Sequence, residues 1–93
     1  MEFERVTELF KRKRAIEILQ LLEKKGELNF KKVDEAIDSS SDTVSGTLKI
    51  LAEYGLVERT QHNVNDVRYR LTENGRNALD RIRELRNSIE NDN

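Results

Sequence analysis

The stretch from Asn29 to Leu71, NFKKVDEAIDSSSDTVSGTLKILAEYGLVERTQHNVNDVRYRL, changes its hydrophobic period partway along. Its first part repeats every three to four residues and its last part every two, so helices must give way to strands. Asn29 is placed to cap a helix from Phe30 to about Ile37 that buries Phe30, Val33 and Ile37. Asp38-Ser39-Ser40-Ser41 is a turn rich in capping residues, and Ser40 or Ser41 caps the next helix. That helix runs to Tyr54, with Val44, Leu48 and Leu51 on its buried stripe and Ala52 beside them. Gly55 ends it. Leu56 to Thr60 reads as a strand, Gln61 to Asp66 as a loop of turn formers, and Val67 to Leu71 as the return strand. Val67, Tyr69 and Leu71 share one face of the return strand; Arg68 and Arg70 share the other.

The second helix has an unusual outer face. Asp42, Ser45, Gly46 and Lys49 lie opposite the buried stripe, with Thr43 and Thr47 on the shoulders. A solvated face more often carries Glu, Lys and Gln, because Ser, Thr and Gly are poorer helix formers. Glycine in a helix interior costs roughly 1 kcal/mol against alanine, so Gly46 calls for a close neighbour, protein or nucleic acid. Short hydroxylated side chains let a helix sit deep in a groove and bond to base edges or phosphates.

The flanks are helical. Phe3, Val6, Leu9 and Phe10 form a stripe ahead of the basic run Lys11-Arg12-Lys13-Arg14. Ala15, Ile16, Leu19 and Leu22 resume the pattern, which ends at Lys24-Lys25-Gly26, a helix C-terminus signal. The sequence leaves open whether the first ten residues continue that helix. Glu27-Leu28 sits where a short strand would join the hairpin. Thr72 caps a last helix whose Ala78, Ile82, Leu85 and Ile89 make a heptad-like seam, with Leu79 alongside. The seam runs past what so small a core needs, which reads as a dimer contact, joined by Phe3, Val6 and Phe10; the alternative is packing against those three residues of the same chain. The last three residues, Asn91-Asp92-Asn93, are expected to fray.

At 93 residues the chain is one domain that gains from dimerising. It has no cysteine, hence no disulfide or thiolate metal site, and one histidine, His62, which reads as solvated. No cofactor is expected. No run is long and apolar enough for a membrane span or signal peptide, so the expected location is the cytoplasm. There is no carboxylate pair in a pocket, nucleophile–base set or phosphate loop, so an enzyme is not expected. Net charge is −1, but it is segregated: Lys11 to Lys32 holds eight basic and three acidic residues, Val33 to Glu58 one and six, Arg59 to Arg76 four and two. DNA binders gain most of their affinity from local phosphate neutralisation, which a basic patch supplies without a basic whole.

The expected fold is mainly α with a small β-hairpin: a winged helix-turn-helix core over residues 14–71, an N-terminal helical extension over 1–13 and a C-terminal dimerisation helix over 72–93. TVSGTLKILAEYGLVER resembles the recognition helix and first wing strand of prokaryotic winged-helix regulators, and YRLTENGRNAL resembles their return strand and last helix. The likeness covers roughly Arg14 to Leu79 and points to the MarR-like, HxlR-like and ArsR-like group, small archaeal members included.

That resemblance implies a homodimeric, sequence-specific regulator bound to double-stranded DNA, cytoplasmic and nucleoid-associated. Ser41, Asp42, Thr43, Ser45, Gly46, Thr47 and Lys49 are expected at the major groove. Arg59, Asn63, Arg68 and Arg70 are expected at the wing, and Lys11, Arg12, Lys13 and Arg14 along phosphates. The wing tip has Gln, His and Asn where such regulators usually have Arg or Lys. The cysteines and Cys/His sites of redox- and metal-sensing members are missing, so those inputs are not expected; the effector is open. The competing reading is a winged helix used as a protein-interaction module in a transcription complex, which the acidic segment from Val33 to Glu58 favours.

Overall fold

The computed structural model describes residues 3–90, and side chains from Thr7 onward. Its elements run α1 (Phe3–Lys11), α2 (Lys13–Lys25), β1 (Leu28–Asn29), α3 (Phe30–Ala36), α4 (Ser41–Glu53), β2 (Val57–Asn63), β3 (Asp66–Leu71) and α5 (Glu73–Glu90). The question of one or two N-terminal helices is settled as two. Arg12 leaves helical geometry, with φ −99° and ψ 89°, and α2 starts afresh after it.

The caps act where residue chemistry put them. The Asn29 side chain accepts from the Lys32 N–H at 2.9 Å, and the Ser40 hydroxyl accepts from the Thr43 N–H at 3.2 Å. Each satisfies a donor that a helix start leaves without an intrahelical partner. Ser40, not Ser41, is therefore the cap of α4. Ser41 donates instead to the Asp34 carboxylate at 2.8 Å, tying α3 to the start of α4.

The core is a single cluster. Ile18, Leu19 and Leu22 of α2 meet Val33 and Ile37, then Val44, Leu48 and Leu51 of α4, with Val57, Tyr69, Leu71 and Leu79 closing the far side. Most of these lie on the stripes that the periods select, but Ile18, outside the expected stripe, is fully buried, and Ile16 and Phe30, expected inside, are half-buried. The short β1 exists and pairs antiparallel with β3, Leu28 opposite Tyr69, giving the sheet order β1-β3-β2.

The hairpin departs from expectation. Strand β2 continues through Gln61 and His62 to Asn63, so the expected six-residue loop shrinks to a turn at Val64-Asn65 with one register irregularity near Gln61. After Val57 every residue of β2 is exposed. This arm is held by backbone pairing, so hydrophobic alternation gives no sign of it. The Asn63 side chain accepts from the Asn65 N–H at 3.0 Å and tightens the turn.

The G-L-V-E-R and L-T-x-x-G segments meet at one joint. Gly55, at φ 75°, ends α4 in the left-handed region that glycine adopts without strain. The Thr72 hydroxyl donates to the Gly55 carbonyl at 2.7 Å and accepts from the Gly75 N–H at 3.0 Å, while the Thr72 N–H donates to Leu56 O at 3.1 Å. Gly75 lies so close beneath the Leu56 carbonyl that a Cβ there would overlap it.

Candidate nucleic-acid interface

The outer face of α4 is open. Ser41, Asp42, Thr43, Ser45 and Lys49 are exposed, and Gly46 is half-buried. A Cβ built on Gly46 meets nothing within 4 Å, so the fold itself supplies no reason for a glycine there. Thr47 is a correction. It is 1% exposed, and its hydroxyl donates to the Thr43 carbonyl at 2.7 Å. That bond inside the helix satisfies the hydroxyl and lets a polar residue take a core position. Thr47 does not face outward with Ser45.

Beside this face runs a groove bounded by α3, α4 and the hairpin. One part is lined by Asn29, Lys31, Ser45, Arg59 and Asn65, and its continuation by Ser45, Lys49, Glu53 and Arg59. Arg59 stands opposite Tyr69 in the β2–β3 register, on the sheet face turned to the helices. Lys31, Lys49 and Arg59 are exposed and have no side-chain hydrogen bond or ion pair with any described residue. Lys31 was not among the residues expected at the interface. Its signal was weak: a lysine in the first turn after the Asn29 cap, whose approach to the hairpin arises only on folding.

The other wing arginines are engaged on the opposite sheet face. Arg68 makes two-pronged contact with Asp66, at 2.8 Å for the shorter pair, and lies 3.6 Å from Glu27. The Arg68 guanidinium holds the Asp66 carboxyl below its ordinary value, and Asp66 raises Arg68 in turn. Arg70 pairs with Glu58 across the strands. Asn63 is exposed near the tip beside Val64, which is 85% exposed.

The basic run at the α1–α2 junction divides similarly. Arg14 pairs with Glu17 at 2.8 Å, and Arg12 lies 3.7 Å from Glu8. Lys11 and Lys13 are exposed. None of the four lines the groove beside α4.

The expected seam of the last helix divides between the core and the surface. Ala78 and Ile82 are half-buried, with Ile82 packed on the core, whereas Leu85 and Ile89 are 48% and 67% exposed. Phe10, 46% exposed, joins Ile16, Ile82, Leu85 and Ile89 around an apolar groove of about 310 Å³. Phe3 and Val6, expected at the same seam, have side chains outside the described residues. Arg83 fastens α5 to α2 through Glu23, the second of its two bonds at 3.0 Å, and holds the Glu23 carboxyl below its ordinary value. No helix among the described residues is long and apolar enough to cross a membrane, and none of their acidic, His or Cys side chains form a group placed to hold a metal ion.

A capped helix-turn-helix whose second helix turns a small polar face outward, flanked by a hairpin, is the apparatus of a winged-helix DNA-binding protein. The family model described as "MarR family" matches residues 13–66, more than half of the chain. The chain belongs to the MarR family, whose members are DNA-binding transcriptional regulators. Among solved structures it is similar to the reduced form of the transcriptional regulator YodB from B. subtilis, at 27% identity over 89% of this chain and 83% of the other, with a TM-score of 0.75. It is similar to AF1382 from Archaeoglobus fulgidus at 25% identity over 95% and 99% of the two chains, TM-score 0.71. A mutant MarR from E. coli complexed with operator DNA shares the fold, at 16% identity over 78% of this chain and 54% of that one, TM-score 0.70. No curated protein matches.

Proposed function

We propose that this chain reads duplex DNA as a homodimer, with the outer face of α4 in the major groove and the hairpin beside it. The observation that carries the reading is that face itself. Asp42, Ser45 and Lys49 stand clear of the fold, Ser41 and Thr43 are exposed with their hydroxyls bonded to Asp34 and Ser40, and Gly46 has empty space where its side chain would be. Lys49 reaches a guanine edge or a phosphate, Asp42 accepts from cytosine, and the short hydroxyls of Thr43 and Ser45 bond to several base types. So permissive a set discriminates weakly base by base, and DNA shape contributes the rest. The operator-bound E. coli relative shares the fold that presents this helix. The seam of Ile82, Leu85 and Ile89, with Phe10, pairs two protomers, which places two half-sites about one helical turn, roughly 34 Å, apart. The protein acts on the nucleoid and carries no catalytic role.

The test is Ser45→Glu beside Ser45→Ala. The glutamate sets a carboxylate against the DNA backbone and abolishes duplex binding in a gel-shift titration, with circular dichroism and sedimentation unchanged; the alanine costs a modest factor. Undiminished binding by a folded Ser45→Glu protein would show that α4 is not the reading element.

A further inference from the structure

We infer that the wing of this protein rides on the sugar–phosphate backbone instead of entering the minor groove, and that Lys31 of α3 and Arg59 of β2 are the residues that seat it there. The inference rests on the reading of α4 as the major-groove helix.

A hairpin that enters the minor groove needs cations at its tip, since that groove attracts arginine and lysine by its negative potential. This tip is Asn63-Val64-Asn65, with an 85% exposed valine at its turn. The arginines further down the outer sheet face are neutralised. Arg68 faces two carboxylates, Asp66 and Glu27, and Arg70 faces Glu58. A phosphate approaching either arginine also meets the carboxylate already beside it.

The free cations lie in the groove beneath the tip, whose wall Val64 and Asn65 complete. Arg59 projects from the helix-facing side of β2, at the inner root of the wing. Lys31 approaches the same groove from α3, and Lys49 from α4, with Ser45 between them. Glu53 marks the far end, beyond Lys49. Three uncompensated positive charges from three elements thus converge on a channel that adjoins the outer face of α4. With α4 in the major groove, that channel meets the strand bordering the groove on the wing side. The chemistry it recognises is the phosphodiester, and the contacts fix register without reading sequence. The wing root then grips the backbone and the tip overhangs it.

The experiment measures binding of a duplex selected from a random pool, across a salt series, for wild type and for Lys31→Gln, Arg59→Gln and Val64→Ala. All three positions are exposed, so the variants keep the wild-type circular dichroism and melting. A dimer carries each residue twice. Lys31→Gln and Arg59→Gln should each flatten the slope of log affinity against log salt by about 1.8 units, at close to 0.9 per phosphate contact. Val64→Ala removes no charge from the groove it lines and should leave the salt slope unchanged. A minor-groove-binding dye on the same duplex should not displace the protein. Unchanged slopes for both cation variants, or displacement by the dye, overturn this inference, while loss of binding by Ser45→Glu on the same duplex upholds the reading of α4. No binding by the wild type overturns both.

Discussion

Replacing Gly46 with alanine should make the protein more stable and a worse DNA binder at once. Gly46 lies in the interior of α4, five residues after Ser41, where alanine is favoured over glycine by about 1 kcal/mol through the unfolded chain's lost freedom. The added methyl meets nothing within 4 Å, so no steric penalty offsets the gain in the free protein. For a domain of this size 1 kcal/mol raises the melting temperature by about 4–8 °C. In the complex the same methyl projects into the space that the DNA occupies. Overpacking a filled site costs typically 1–3 kcal/mol, and a dimer incurs it twice, so affinity should fall by at least a factor of ten, at about 1.4 kcal/mol per tenfold. Thermal unfolding by circular dichroism and fluorescence anisotropy on a selected duplex read the two effects from one preparation. A protein that melts higher and binds as well as wild type would refute the argument, because Gly46 would then have no close neighbour in either state.

Leu85→Lys with Ile89→Lys should give folded monomers, since both side chains are about half exposed or more in the single chain; burial of these two and Phe10 from both protomers is worth roughly 6 kcal/mol at about 1 per side chain, and sedimentation equilibrium measures its loss. Gly75→Ala should destabilise by about 3 kcal/mol in urea titration, because its Cβ would drive into the Leu56 backbone and the Leu71 side chain. The Glu23 carboxyl is held below its ordinary value by Arg83, so the pair's contribution is full above the unfolded glutamate's titration and is lost as pH falls through the lower folded value. Arg83→Gln should therefore lower the melting temperature at neutral pH and narrow its gap to wild type as pH drops through that acid window; a gap independent of pH would place the effect of Arg83 elsewhere.

Much of this architecture could be read from residue order because each element is announced locally. Asn29, Ser40 and Thr72 accept from the first turns of α3, α4 and α5. Val44, Leu48 and Leu51 are buried as their spacing requires. What escaped reading depends on partners distant in sequence or on backbone alone. The outer half of β2 buries nothing, so no side-chain pattern marks it. Thr47 was misplaced because a threonine bonded to its own helix's carbonyl is as acceptable inside as out. Arg68 and Arg70 read as free cations, and only the paired strands and β1 bring Glu58 and Glu27 to them. Lys31 joins the groove beside α4 through the same tertiary approach.

The joint at Thr72 gives α5 the character of a lever. Its hydroxyl holds the carbonyl that closes α4 and the amide that opens α5, and Gly75 lets the two lie in contact with no slack between them. The arm beyond is 18 residues, about 27 Å at 1.5 Å per residue. Leu79 and the Arg83–Glu23 pair fix this arm to the body as well, so a tilt of roughly 10° of the whole protomer sweeps the far end of α5 through about 5 Å. Run the other way, a rearrangement of a few ångströms where two such arms meet turns the base of each α4 by a comparable angle. If two protomers pair through the distal seam as proposed, the distance between their α4 helices is geared to the packing there, and the preferred half-site spacing in a DNA selection is the dial on which that gearing is read.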